Sequence, residues 1–331
     1  MKNSQGIHLA YLGAYVLLLA LLLSAPLLAQ NKKDGETTMR IRTALVTVPV
    51  IAMDREEKVV PNLRREDFQI AEEGVNQEID FFYSAEEPVS VALLLDVSDS
   101  TEFRLREIQQ AAAAFIEQLR PDDRMMVVAF DGAVTTMAEP STDRQAAQRA
   151  IQRARTGSGT RLYDAIHETL RNRRFQEHRG RKAIVVFTDG VDTGSFLPQV
   201  ASLREVEEAD VFIYPIHYLT PAEKAIQLLT AAGKKVPAKV YKGDFAKAEK
   251  YLRDLTRITG SRFYSAASIP ELSHSFSLIA GELRKHYTIG YYPAFPAAPG
   301  QRRRINVQVK KNNVILRARE SYIAAPEQEA K

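Results

Sequence analysis

Near-continuous apolar runs separated by helical patterns constrain the fold of this chain more than any other feature. The runs occupy residues 89–95, 125–130, 183–187 and 211–216. Strands that are apolar on both faces are typical of parallel sheets, which helices cover from both sides. Between the runs, apolar residues recur at helical spacing, as at Leu105, Ile108 and Ala112. The alternation predicts an α/β protein with a doubly wound, mostly parallel sheet.

Two β-rich segments flank this region, one on each side. The first contains alternating valines at residues 46–50 and a hairpin signal at Glu72-Glu73-Gly74. The second contains strand patterns at residues 287–292, 304–310 and 314–318. Neither segment can bury a face alone, so we predict that they pack together as a small β module beside the α/β domain. Pro49 cannot donate a ladder hydrogen bond, which predicts an edge strand.

The chain is therefore divided into successive predicted regions. They are a signal peptide at 1–29, an N-terminal β segment at 30–86, the α/β domain at 87–285, a C-terminal β segment at 286–325 and a tail at 326–331. The Ala- and Lys-rich stretch near residues 220–247 has weak periodicity. We interpret it as a partly helical insertion in the α/β domain.

The N-terminus matches an export signal. Lys2 precedes an apolar run over residues 9–28, and Ala29 is a small residue at a suitable cleavage position. The run is also about long enough to span a bilayer, so membrane anchoring through an uncleaved signal is the alternative. Both alternatives predict an exported protein, either periplasmic or extracellular.

Composition excludes several kinds of site. The 331 residues contain no cysteine, which rules out disulfides, thiolate metal sites and thiol catalysis. The histidines show no metal-binding spacing, and His217 in an apolar strand is expected to be a hydrogen-bonded core residue. The net charge is only +4, and Arg302-Arg303-Arg304 is better explained as a solvated charge run than as a nucleic-acid surface.

Oxygen-bearing side chains follow the apolar strands at three places. Asp96, Ser98 and Ser100 follow the first strand, Thr160 lies in a loop before a helix, and Asp189 follows the third strand. The carboxyl ends of parallel strands share one edge of the sheet, where open α/β proteins bind ligands. Carboxylates and hydroxyls are hard donors that suit Mg²⁺, Mn²⁺ or Ca²⁺. The pattern predicts a divalent metal site at this edge.

Each member of the set also has a simpler explanation when it is taken alone. Ser98 and Ser100 could cap the following helix, Thr160 could cap the helix at Arg161, and Asp189 could belong to an ordinary turn with Gly190. Their joint occurrence in this order favours the metal site. Nearby acidic residues are assigned to solvated turns, namely Asp99, Asp131 and Asp192.

The combination of Asp96-Val-Ser98-Asp-Ser100, Thr160 and Thr-Asp189-Gly resembles the metal-ion-dependent adhesion site of von Willebrand factor type A domains. The resemblance covers roughly residues 88–285, and the flanking segments resemble a bacterial exported subgroup of these proteins. It implies a Rossmann-like fold in which Ser98, Ser100 and Thr160 are direct or near-direct ligands. Asp96 and Asp189 would coordinate the metal directly or through water. An acidic residue of a protein partner would complete the coordination.

Three functions are compatible with these observations. The resemblance implies an adhesion or protein-binding module with no catalytic residue. A magnesium-dependent phosphohydrolase is the enzyme alternative, but it needs a second carboxylate where this chain has Ser98, and no general base is evident. The third is a structural envelope protein whose metal site is unused.

Overall fold

The computed structural model describes residues 45–56, 58–84, 88–178, 181–233, 242–266, 268–284 and 286–324. The strands are β1 Val46–Met53, β2 Phe68–Glu72, β3 Val75–Gln77, β4 Phe81–Tyr83, β5 Val89–Asp96, β6 Arg124–Phe130, β7 Val134–Ser141, β8 Arg181–Thr188, β9 Phe212–Tyr218, β10 Tyr264–Ala266, β11 Tyr287–Tyr291, β12 Arg302–Val309, β13 Ile315–Ala318 and β14 Ser321–Ile323. The α-helices are α1 Leu105–Gln118, α2 Arg144–Arg153, α3 Leu162–Arg171, α4 Arg173–Gln176, α5 Gln199–Glu208, α6 Pro221–Ala231, α7 Lys242–Thr259 and α8 Ile269–Arg284.

The central sheet has the predicted doubly wound architecture. Its strand order is β10-β9-β8-β5-β6-β7, and every neighbouring pair is parallel except β6 with β7. All eight residues of β5 are buried, because helices cover both faces of the sheet. Leu93 faces the core that includes α1 and α8, where Phe115 and Phe276 stack with their ring centroids 4.8 Å apart. Ala92 faces the opposite core, formed with α3 and α7.

The flanking β module combines both ends of the described chain, as predicted. It consists of two four-stranded antiparallel sheets, ordered β13-β1-β11-β4 and β14-β12-β2-β3. Each sheet contains strands from both segments, and Val48, Ile70, Ile289 and Ile305 contribute to their shared core. Neither segment therefore completes a sheet by itself.

The hairpin predicted around Gly74 is confirmed, but the strand predicted after it is divided. Glu73 and Gly74 have φ values of 47° and 81°, and this left-handed backbone matches the twist of a two-residue hairpin turn. The next residues form β3 and then β4, which belong to different sheets. The division lets the N-terminal segment contribute to both layers of the module.

The prediction that Pro49 lies in an edge strand is wrong. Its strand, β1, has β11 on one side and β13 on the other. The pairing with β13, however, covers only Val50–Met53, whereas Pro49 is paired only with Thr288 of β11. The proline therefore occupies the part of β1 that has one neighbour, so its missing N–H costs no ladder bond.

The prediction that Arg302-Arg303-Arg304 is a solvated charge run is wrong for Arg303. The Nε atom of Arg302 donates to Oε1 of the buried Glu207 at 2.6 Å. The Arg303 side chain is 12% exposed and pairs with Glu72. Arg302 and Arg304 are solvated, with 64% and 80% of their side chains exposed.

The stretch near residues 220–247 is partly helical, as expected. It contains α6 and the beginning of α7, while residues 234–241 lie outside the described residues. The signal-peptide and tail predictions also concern residues outside this range. Throughout the described part of the chain, no helix has both the length and the apolar character that a membrane span requires.

Candidate metal-binding site

Asp96 ends β5 and is completely buried. Its Oδ1 atom accepts hydrogen bonds from the backbone N–H of Ser98 at 3.0 Å and from the Ser98 hydroxyl at 2.5 Å. Its Oδ2 atom accepts a third bond from Thr188 Oγ1, at 2.6 Å, in the neighbouring strand β8. Three hydrogen bonds from two strand ends therefore fix the orientation of this carboxylate.

A tight turn after β5 brings Ser98 and Ser100 together. The carbonyl of Ser98 accepts from both the N–H and the hydroxyl of Thr101, which starts a 3₁₀ helix over Asp99–Arg104. The two serine Oγ atoms lie 3.0 Å apart, and Ser100 Oγ lies 3.3 Å from the Tyr218 hydroxyl at the end of β9. A short helical turn therefore directs both hydroxyls to one point.

Asp189 enters the same cluster from the end of β8. It is 4% exposed, and its Oδ1 atom accepts the backbone N–H of Val191 at 3.0 Å. The Ser100 hydroxyl opposes the rise that burial causes in the pKa of Asp189. The next residue, Gly190, has φ 80°, and a Cβ there would lie 2.9 Å from Leu252 Cδ1. Glycine is thus required for the turn that places Asp189.

The loop that contains Thr160 runs beside the Ser98 turn. The N–H of Gly157 donates to the carbonyl of Val97 at 2.8 Å, and Gly157 forms a parallel bridge with Ser98. A Cβ on Gly157 would lie 1.8 Å from Asp131 Oδ2, so a larger residue there would have to displace the Asp131 side chain. Thr160 itself is 6% exposed, and its N–H donates to Thr193 Oγ1 at 2.9 Å.

Side-chain capping of the α-helices does not explain the hydroxyl residues. The N-cap residue of α1 is Arg104, and that of α3 is Arg161, and neither makes a side-chain cap hydrogen bond. The Ser98 hydroxyl instead contacts Asp96 and Ser100. The turn explanation for Asp189 does hold, because Asp189 bonds to the backbone two residues later.

Neither carboxylate pairs with an arginine or lysine among the described residues, although His217 lowers the pKa of Asp189. Burial raises the pKa of Asp96 to about 7, and the negative charge of Asp189 adds to the rise. Burial also raises the pKa of Asp189. In the described part of the chain, no Arg or Lys side chain forms an ion pair with either residue. A bound cation would remove this cost, because opposite charge favours the ionised form of a carboxylate.

Several residues that organise the site were not singled out from the sequence. Thr188 holds Asp96, Tyr218 contacts Ser100, and buried Asp164 accepts the N–H groups of Phe196 and Leu197, each at 2.9 Å. A single hydroxyl residue in an apolar strand does not indicate a ligand site, since most such hydroxyls are hydrogen-bonded core groups. The position of Asp164, four residues after Thr160, was the sequence feature that could have identified it as part of the site.

The predictions for nearby residues assigned to turns or to the core are partly confirmed and partly wrong. Asp99 is exposed, as predicted. The prediction of a solvated turn is wrong for Asp192, which is half-buried and accepts bonds from Tyr163 N and from both the N–H and hydroxyl of Ser195. His217 is confirmed as a core residue, with Nε2 3.1 Å from Glu223 Oε1.

The donor set fits a hard divalent cation. Among the described residues, no three His, Asp or Glu side chains form a group that could hold a metal ion by themselves, so any metal site here needs hydroxyl ligands as well. The present cluster has two carboxylates, and hydroxyls supply its other oxygen atoms. Such oxygen donors suit Mg²⁺, Mn²⁺ or Ca²⁺ better than the softer metals.

Comparison with known proteins finds a domain match over the segment that contains the proposed site. Residues 91–191 match the von Willebrand factor type A domain. A UPF0353 protein of Mycolicibacterium paratuberculosis is 24% identical over 212 residues, which cover 58% of this chain and 60% of that protein. A UPF0353 protein of Nocardia farcinica is 25% identical over 224 residues, covering 61% and 63%. The chain thus spans about three fifths of the length of these curated relatives.

Solved structures of the same type are also similar to this chain. A von Willebrand factor type A protein from Catenulispora acidiphila is 13% identical, with a TM-score of 0.47, and the match covers 86% of this chain and 75% of that one. The residues predicted as ligands all fall within the matched segment 91–191. Residues 91–191 of this chain are thus similar to the von Willebrand factor type A domain.

Proposed function

We propose that this protein is an exported binding module that holds a divalent metal ion and uses it to capture a protein partner. The ligands would be Asp96, Ser98, Ser100, Thr160 and Asp189, and the ion would be Mg²⁺, with Mn²⁺ or Ca²⁺ as substitutes. The observation that carries the proposal is the buried pair Asp96 and Asp189, whose carboxylates have raised pKa values and no arginine or lysine partner among the described side chains.

The geometry supports a preorganised ligand set. Asp96 is held by three hydrogen bonds, and the Ser98 and Ser100 hydroxyls converge at 3.0 Å. Positions fixed in this way would lose little conformational entropy when a cation binds. The cluster contains only two carboxylates, so a bound divalent ion would remain electrophilic and could attract a partner's carboxylate.

The proposed activity is recognition, with no bond broken. Non-enzymatic adhesion is typical of von Willebrand factor type A domains. The proposed partner is a protein that presents a carboxylate, and a nucleic acid is not expected as a partner. The apolar N-terminal segment supports export, with membrane anchoring as the variant in which the signal is retained.

Metal binding is tested first by calorimetry of the full chain with Mg²⁺ and with Mn²⁺. Wild-type protein should bind one ion, and Asp189→Asn should bind at least tenfold more weakly because a charged ligand is lost. Asp99→Asn is the matched control, since Asp99 is exposed and adjacent to the cluster. Equal binding by all three proteins would show that the cluster is not the metal site.

A second experiment separates binding from catalysis. The full chain is incubated in Mg²⁺ with simple phosphoester substrates, and no turnover above background is expected. Turnover that disappears in Asp96→Ala would establish a phosphohydrolase and overturn the binding proposal. Asp99→Asn again serves as the control for changes outside the ligand set.

A further inference from the structure

An exposed phenylalanine lies beside the proposed metal site. The Phe196 side chain is 81% exposed, and its residue belongs to the loop between β8 and α5. The guanidinium carbon of Arg161 lies 4.2 Å from the centroid of its ring, in a cation–π contact. Arg161 directly follows the proposed ligand Thr160. An apolar ring and a positive charge are therefore fixed next to the ligand set.

The loop that presents this ring is held rigidly against the Thr160 turn. The carbonyl of Thr160 accepts the N–H groups of Thr193 at 2.9 Å and of Gly194 at 3.0 Å. The buried carboxylate of Asp164 accepts the N–H groups of Phe196 and Leu197, each at 2.9 Å. The backbone on both sides of the ring is thus tied to the same turn that carries Thr160.

Further side-chain bonds reinforce this connection. The half-buried Asp192 accepts the N–H of Tyr163 at 3.2 Å, and Ser195 Oγ accepts the N–H of Asp164 at 3.1 Å. Single exposed apolar residues are common on protein surfaces and usually need no explanation. This ring differs because its loop is preorganised and bonded to the site, which reduces the entropy lost when a partner binds.

We infer that the partner segment carries a large apolar side chain close to its metal-binding carboxylate, and that this side chain packs on Phe196. Aromatic residues and arginines dominate the binding energy of many interfaces. The charge of Arg161 favours an acidic segment, which agrees with a carboxylate as the metal-binding group. This inference rests on the proposed metal-dependent function and specifies the partner's sequence chemistry.

The test uses the immobilised full chain and a phage-displayed library of random peptides, selected in Mg²⁺ and in EDTA. Wild-type protein should enrich peptides that combine Asp or Glu with a large apolar residue at a fixed spacing, in Mg²⁺ only. Phe196→Ser should keep the acidic preference and lose the apolar one. Its affinity for the best wild-type peptide should fall about tenfold or more, as expected when burial of an aromatic ring is lost.

Phe295→Ser is the matched control, because Phe295 is also exposed, at 60%, but lies in the flanking β module. Thermal unfolding and Mg²⁺ calorimetry should be unchanged in both variants, since neither ring is buried. Acidic peptides without an apolar preference, or equal affinities of wild type and Phe196→Ser, would overturn the inference and leave the proposed function intact. Selection with no acidic preference and no Mg²⁺ dependence would overturn both.

Discussion

Buried carboxylates occur in two regions of this protein, and the two regions neutralise them differently. In the flanking module, Glu72 is 2% exposed and accepts from Arg303 Nε at 2.7 Å and from the Tyr291 hydroxyl at 2.7 Å. In the proposed metal site, Asp96 accepts three hydrogen bonds from uncharged groups. The module contains its own arginine, whereas the described residues of the site offer Asp96 hydrogen-bond donors but no arginine or lysine.

The same distinction applies to the acidic residues that join the module to the α/β domain. Glu207 of α5 pairs with Arg302, and Glu282 of α8 pairs with Arg317. These buried acids are structural, because each has an arginine from the C-terminal strands. A buried acid without such a partner is therefore a better indicator of a ligand site than burial alone.

The largest expected effect comes from removing the cation in the module. Arg303→Met would leave the Glu72 carboxylate buried without its ion pair, and we expect the free energy of unfolding to fall by about 3–5 kcal/mol. Urea denaturation measures the change. Arg304→Met is the control, since the Arg304 side chain is 80% exposed and solvent screens its pair with Glu73, which should contribute little to stability. Equal losses in both variants would contradict the comparison.

When no metal is bound, the proposed metal site should favour the protonated, uncharged form of Asp96. The pKa of Asp96 is about 7 in the folded protein, above its ordinary value of 3.8. The folded state therefore retains a proton that the unfolded chain loses, so the contribution of Asp96 to stability is full at low pH and is lost as the pH rises through 7. We expect a decrease of a few kcal/mol between about pH 4 and pH 8.

Chelator-treated protein, unfolded in urea at several pH values, tests this dependence. Asp96→Asn should flatten the pH profile, because an amide resembles the protonated acid. Millimolar Mg²⁺ should restore stability at about pH 8 in wild-type protein but not in this variant. Identical pH profiles of wild type and Asp96→Asn would contradict the raised pKa of Asp96.

A smaller effect is expected from the hydroxyl that holds Asp96. Thr188→Val removes the donor to Asp96 Oδ2, at 2.6 Å, and the acceptor of the Gly190 N–H, at 2.9 Å. Stability should fall by about 1–3 kcal/mol, and Mg²⁺ affinity about tenfold or more. Thr169→Val is the control, because its buried hydroxyl bonds only within α3, to Ala165 O at 2.7 Å. It should lose stability without losing Mg²⁺ affinity.

The location of the proposed metal site could be predicted from the sequence, because the carboxyl ends of parallel strands meet at one edge of the sheet. The positions of Asp96, Ser98, Ser100 and Asp189 follow from that rule once β5 and β8 are neighbours. The ion pairs of the module could not be predicted in this way. They depend on which strands of two distant segments pair and in which register, and Arg303 differs from its neighbours only by facing inward.

The smallest effect is expected from loss of the Tyr322 hydroxyl, and it tests whether the hydrogen bonds to Glu72 depend on the charge of Arg303. The Tyr322 hydroxyl donates to Glu72 Oε2 at 3.1 Å, while Tyr291 and Arg303 hold the same carboxylate. Tyr322→Phe alone should therefore cost about 1 kcal/mol or less. In the Arg303→Met background the remaining hydroxyls solvate an uncompensated charge, so the same substitution should cost more. Urea denaturation of the double-mutant cycle measures this coupling, and strictly additive losses would show that the hydroxyl and the cation act independently.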